Sequence, residues 1–92
     1  MPEEVRRAAD LLERRWAISV LWASVEGAAR FNEFRYALAG VPPKTLSERL
    51  RELERAGVLE RHVVDASPPY AEYALTPAGK RLAGVVRALS SA

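Results

Sequence analysis

The segment from residue 43 to residue 56 combines a leucine repeat with polar side chains that can bind nucleic acid. Leu46, Leu50 and Leu53 recur at a spacing that places them on one side of a helix. Arginine and lysine can contact phosphates or guanine, glutamate can accept a hydrogen bond from cytosine, and hydroxyl groups can do either. We therefore predict that the opposite side and its flanks read bases in the major groove, through Lys44, Thr45, Ser47, Glu48 and Arg51.

Other cations and one short segment offer supporting contacts to the DNA backbone. The predicted phosphate contacts are Arg30, Arg35, Arg49 and Arg55. The segment 61–70 contains two prolines at a predicted turn and can approach the minor groove, through Arg61, His62, Ser67 and Tyr70. The competing interpretation of the leucine-rich helix is an ordinary solvated helix, with pairs such as Glu48 with Arg51 and Arg55 with Glu52.

The start of this helix has two possible positions. Thr45 and Glu48 fit a capping box, in which each side chain binds a backbone N–H at the first turn. Alternatively Pro43 occupies the first turn, and Thr45 lies within the helix and is free to face DNA. The sequence alone leaves both starts open.

The surrounding pattern predicts a winged helix-turn-helix: a mainly α domain with a small β-hairpin, spanning residues 1–92. Apolar periodicity indicates helices over residues 5–12, 15–25, 31–39 and 43–56, closed in three cases by Gly27, Gly40 and Gly57. Residues 58–64 and 70–75 have strand composition around a five-residue loop, and Tyr73 and Leu75 are expected in the core. Thr76 and Pro77 begin a last helix that frays at residues 90–92.

Composition excludes several function classes. The 92 residues contain no cysteine and one histidine, so disulfides, thiolate or histidine metal sites and cysteine catalysis are excluded, and a catalytic triad is improbable. We expect no enzyme activity and no cofactor. The absence of a long apolar run or a signal peptide predicts a cytoplasmic protein that binds no membrane. Net charge is only +2, but residues 30–64 hold seven basic groups against five acidic ones.

The two terminal helices carry apolar stripes that a domain of this size cannot bury entirely in its own core. We therefore predict a homodimer formed through them. Trp16 and Trp22 could line a pocket for a small-molecule effector, although two tryptophans on a buried helix are more often part of the core.

An ordered series of residues resembles the HxlR-type winged helix-turn-helix regulators over nearly the whole chain. The matching residues are Arg15-Trp16, Arg30-Phe31-x-x-Phe34, Pro43-Lys44-Thr45-Leu46, Arg49-Leu50-x-x-Leu53-Glu54-x-x-Gly57, Arg61, Pro68-Pro69 and Glu72-Tyr73-x-Leu75-Thr76-x-x-Gly79. The resemblance implies a bacterial or archaeal dimeric regulator of transcription that binds double-stranded DNA. It also implies that the terminal helices form the dimer, and that the helix from about Pro43 to Ala56 reads the DNA.

Two positions depart from the family pattern. Many relatives have a cysteine near the first helix, where Glu3 or its neighbours stand here, so thiol-based sensing is not implied. Pro42 stands where relatives commonly have a small polar capping residue. The sequence therefore predicts a homodimeric, sequence-specific transcriptional regulator acting on an inverted-repeat operator. The alternative is a winged-helix module that binds proteins and has lost DNA binding.

Overall fold

Four helices, two strands and a last helix follow one another along residues 1–90 in the predicted order. The computed structural model describes residues 1–90. The elements are α1 (Glu3–Leu12), α2 (Ala17–Val25), α3 (Phe31–Ala37), α4 (Pro43–Arg55), β1 (Leu59–Val64), β2 (Tyr70–Leu75) and α5 (Pro77–Ser90). The predicted fraying from Ser90 is wrong for that residue, which is still helical, while Ser91 and Ala92 lie outside the described residues. None of the helices within residues 1–90 is long and apolar enough to cross a membrane.

The core forms where α2, α3, α4 and α5 meet the base of the hairpin. Val20 and Leu21 of α2 are fully buried, as are Phe34 of α3 and Leu46 of α4. The three-residue and four-residue spacing of these apolar side chains gives each helix one buried side. Tyr73 and Leu75 of β2 pack against this core, which confirms their predicted role.

The second helix is central but differs from the prediction at its start and on one side. Trp16 adopts a left-handed backbone conformation with a φ of 77°, so the helix begins at Ala17 and not at Arg15. The sequence places both tryptophans on a buried helix, but Ile18 and Trp22 are 44% and 42% exposed, so one side of the helix reaches solvent. Trp16 packs against the core, whereas Trp22 borders a surface groove.

The two possible starts of α4 are resolved in favour of Pro43. Pro43 is the first helical residue, and Pro42 precedes it without any side-chain hydrogen bond to the helix. Thr45 therefore lies in the first turn of the helix and does not cap it. Gly40, with a φ of 91°, lies in the short turn between α3 and α4, where the left-handed conformation is least costly for glycine.

The hairpin pairs β1 and β2 in antiparallel register, with Arg61 opposite Tyr73 and Val64 opposite Tyr70. The loop is residues 65–69, as predicted. The hydroxyl of Thr76 accepts a hydrogen bond of 3.0 Å from the Gly79 backbone N–H, which confirms Thr76 as the cap of α5.

The terminal helices leave apolar side chains on the surface. α1 has no buried residue: Leu11 and Leu12 touch the core, while Val5 is exposed. On α5, Ala83 and Val86 are buried, but Val85 and Leu89 are 56% and 65% exposed. The molecule is elongated, with principal extents of 47, 24 and 23 Å. A single chain therefore leaves these two helices only partly covered.

Candidate nucleic-acid interface

The solvent-facing side of α4 is cationic. Leu46, Leu50 and Leu53 point into the core. Because successive residues of a helix are rotated by 100°, the opposite side presents Lys44, Arg51 and Arg55. All three are exposed, and within residues 1–90 none forms an ion pair or a hydrogen bond through its side chain. Glu48 shares this side of the helix, while Thr45 and Ser47 lie half-buried on the flanks. The outer side thus offers cations whose charge no group in the described part of the chain neutralises.

The intrahelical pairs of the competing interpretation do not form. Glu48 and Glu52 lie near Arg49 and not near Arg51 or Arg55: the Arg49 Nη1 atom is 3.9 Å from a Glu48 carboxylate oxygen and 3.1 Å from one of Glu52. Because the acidic groups are directed to Arg49, the outer cations remain available to another molecule.

Arg49 is itself placed away from the exposed side. Its side chain is only 13% exposed, and its Nε donates a hydrogen bond of 2.8 Å to the backbone carbonyl of Arg15. Glu52 also forms an ion pair of 3.5 Å with Arg14. These bonds join α4 to the turn before α2, and a direct phosphate contact by Arg49 requires breaking them.

Glu33 fixes the start of α3. Its carboxylate accepts hydrogen bonds of 2.9 Å from the backbone N–H groups of Ala29 and Arg30. The Arg30 bond, followed by that of Ala29, holds the pKa of Glu33 below its usual value, because both bonds favour the ionised carboxylate. The cap therefore stays charged at neutral pH and orients Arg30 at the edge of the hairpin.

A cleft between α3 and the hairpin collects a second group of polar side chains. The guanidinium carbon of Arg30 lies 3.7 Å from the ring centroid of Tyr70, a close cation–π contact. Arg61 lines the same cleft, which has a volume of about 530 Å³. A hydrogen bond of 2.8 Å from the Tyr73 N–H to the Ala29 carbonyl holds the hairpin against the loop before α3. The structure thus brings together Arg30, Arg61 and Tyr70, three predicted site residues.

Sequence reasoning missed Tyr36, which also lines this cleft. Its side chain is 90% exposed at the end of α3, although tyrosine is ordinarily intermediate in burial. In the sequence, the exposure of Tyr36 is indicated by its position on the side of α3 opposite Phe34, next to Arg35. Tyrosine hydroxyls are common phosphate ligands in protein–DNA complexes.

The remaining predicted wing residues lie apart from the cleft. Successive residues of a strand point to opposite faces, so His62 points away from Arg61. The His62 Nε2 atom lies 3.2 Å from a Glu60 carboxylate oxygen. Ser67 is exposed in the loop at the hairpin tip. Within residues 1–90 no group of three or more histidine, aspartate or glutamate side chains could hold a metal ion.

The short turn from α3 to α4, the cationic outer side of α4 and the hairpin packed beside α3 define a winged helix-turn-helix domain. The sequence model of the HxlR-like helix-turn-helix family matches residues 11–91, and the chain belongs to this family. It is therefore a transcriptional regulator of the helix-turn-helix type.

Regulators with similar sequences support this assignment. The chain is 39% identical over 84 residues to YvaP of Bacillus subtilis (strain 168), an uncharacterized HTH-type transcriptional regulator, covering 91% of this chain and 78% of YvaP. It is 40% identical to YtfH of Escherichia coli (strain K12), covering 83% of this chain. The chain spans only 60% of the length of YtfH.

Solved structures share the whole fold. The transcriptional regulator ytcD superposes with a TM-score of 0.88 at 30% identity, covering 99% of this chain and 92% of ytcD. The redox regulator HypR in its reduced form gives a TM-score of 0.85 at 31% identity, covering 97% of this chain and 88% of HypR. Since the present 92 residues contain no cysteine, thiol chemistry cannot be transferred to them from a redox regulator.

Proposed function

We propose that this regulator binds duplex DNA as a homodimer, inserts α4 into the major groove and recognises an inverted-repeat operator. The observation that carries the proposal is the outer side of α4, where Lys44, Arg51 and Arg55 are exposed and have no partner within residues 1–90. A helix presented this way after a tight turn is the reading element of helix-turn-helix proteins.

The proposed DNA-binding residues form three groups, according to the part of the DNA or of the protein from which they make contact. The proposed base contacts are Lys44, Thr45, Ser47, Glu48 and Arg51. The proposed contacts to phosphates are Arg30, Arg35, Arg55 and Tyr36. The proposed wing contacts are Arg61, His62, Ser67 and Tyr70. We assign Arg49 to positioning α4, because its guanidinium is engaged by Glu52 and the Arg15 carbonyl.

Dimerisation is supported by the apolar side chains that the terminal helices leave exposed, namely Val5, Val85 and Leu89. A two-fold dimer presents two copies of α4. Its operator should then contain two inverted half-sites whose centres are about 34 Å, or a multiple of that distance, apart.

Arg51→Ala and Arg55→Ala should weaken DNA binding in different ways. Loss of a base contact at Arg51 should cost about 1–3 kcal/mol on the operator and little on random DNA. Loss of a phosphate contact at Arg55 should weaken both and reduce the slope of log K against log salt by about 0.9. Fluorescence anisotropy with operator and random duplexes over a salt series measures both quantities.

Lys80→Ala is the matched control, because it removes one exposed cation from α5, a helix that contributes no residue to the proposed interface. It should leave the affinity ratio and the slope nearly unchanged. If Arg51→Ala and Arg55→Ala fold normally and behave like Lys80→Ala, α4 is not the DNA-reading element. A protein-binding module would then be the better account.

A further inference from the structure

A second large cavity lies between α1, the end of α4 and α5. Its volume is about 920 Å³, within the range of small-molecule sites. Its walls are mainly aliphatic, and include Leu11, Leu12, Val58, Leu82 and Val85. The three helices thus form an apolar groove that no side chain of residues 1–90 fills.

The charged side chains around this groove are unevenly paired. Arg14 and Glu52 form an ion pair of 3.5 Å, and Arg7 lies 3.6 Å from Glu3, so these cations are partly neutralised. Arg55 and Arg81 also line the groove, and neither has a partner within residues 1–90. Asp10 is the acidic lining residue without a partner there. Arg55 and Arg81 outnumber Asp10, so the lining groups without a partner leave a net positive charge beside an apolar wall. This combination favours an anion that carries an apolar body.

We propose that this groove binds a small organic anion, in which a carboxylate or sulfonate meets Arg55 and Arg81 and an apolar body rests on the leucine and valine side chains. Guanidinium groups bind such anions through charge-assisted hydrogen bonds. Burial of the apolar body supplies most of the affinity, and the two arginines determine the selectivity for a negative charge.

The groove and the proposed DNA interface share Arg55. A bound anion would engage the guanidinium of Arg55, which is then no longer available to a DNA phosphate. Anion binding should therefore weaken DNA binding. This regulatory consequence rests on the proposed function, whereas the anion site itself does not. Val85 borders both the groove and the proposed dimer surface, which makes a second copy of the chain the competing occupant.

Two fluorescent probes of similar ring structure test the site on the full chain. The anion 1-anilinonaphthalene-8-sulfonate should bind saturably, one per chain, and N-phenyl-1-naphthylamine lacks its sulfonate. Arg81→Gln should weaken binding of the sulfonate about tenfold, since it removes a charge-assisted hydrogen bond. It should leave binding of the neutral amine unchanged. Lys80→Gln is the control, since Lys80 is exposed on α5 but does not line the groove.

An equal response of both probes to Arg81→Gln, or no response of either, overturns the proposal. Loss of sulfonate binding as the protein associates with itself also overturns it, because a second copy then occupies the groove. In a second arm, saturating sulfonate should lower the affinity of the unaltered protein for duplex DNA but not that of Arg81→Gln. If the protein binds no DNA even without the probe, the proposed function fails while the result of the first arm still decides the anion site.

Discussion

The Leu89→Asp variant should be a monomer at micromolar concentrations at which the unaltered protein is a dimer, and should bind the operator about a hundredfold more weakly or worse. Leu89 is 65% exposed in the single chain, so a carboxylate there meets water in the monomer and costs the fold little. In the proposed dimer the same carboxylate is buried against an apolar surface without a partner, which is strongly unfavourable.

The loss of DNA affinity follows from the loss of linkage between two reading helices. In a dimer, binding of one half-site places the second α4 at a high effective concentration beside the other half-site. A monomer lacks that advantage. Analytical ultracentrifugation and anisotropy with the same samples measure association and DNA binding together.

Lys80→Ala is the control for this variant as well. It changes the net charge by the same amount, and at 100° per residue Lys80 lies on the side of α5 opposite to Leu89. It should remain dimeric. A Leu89→Asp protein that stays dimeric with full operator affinity would place the dimer interface away from α5.

The Gly79→Ala variant should be destabilised by about 3 kcal/mol, at the upper end of the range for overpacked sites. A Cβ atom built at Gly79 lies 2.1 Å from the Val58 carbonyl oxygen and 3.1 Å from the Val58 carbonyl carbon. Both are backbone atoms, so a change of rotamer cannot relieve the clash. The Thr76 hydroxyl, which donates to the carbonyl groups of Gly57 and Val58, holds α5 against this same backbone.

Gly84→Ala offers a matched comparison on the same helix. A Cβ at Gly84 has no neighbour within 4 Å, so alanine there should stabilise the protein by about 0.5–1 kcal/mol through its higher helix propensity. Urea unfolding of both variants at one fixed protein concentration measures the difference. Similar stability of the two variants would show that α5 does not pack closely on Val58.

Local sequence patterns predicted most of the fold because they act over a few residues. The strand Tyr70–Leu75 and the loop before it follow from strand composition on each side of Pro68 and Pro69. The start of α5 is likewise predicted by two adjacent residues, the capping Thr76 and the first helical residue Pro77. In contrast, the left-handed conformation of Trp16 has no local signature, since glycine usually occupies such positions.

The candidate site was harder to predict where it depends on distant contacts. The choice between phosphate binding and positioning for Arg49 rests on the Arg15 carbonyl, which lies 34 positions away in the sequence. The position of Tyr36 beside the hairpin and the groove beside Arg81 depend on how the elements pack, which periodicity does not specify. The outer side of α4 was predictable because one helical period determines it.

Selection of bound duplexes from a random library, followed by footprinting of the enriched sequence, tests the central claim most directly. Two copies of α4 presented by a two-fold dimer should enrich an inverted repeat with protected half-sites centred about 34 Å apart or at a multiple of that spacing. The Arg51→Ala protein should enrich a less specific repeat. Failure of the unaltered protein to enrich any sequence, or protection of a single asymmetric site by one protomer at full affinity, would contradict the account.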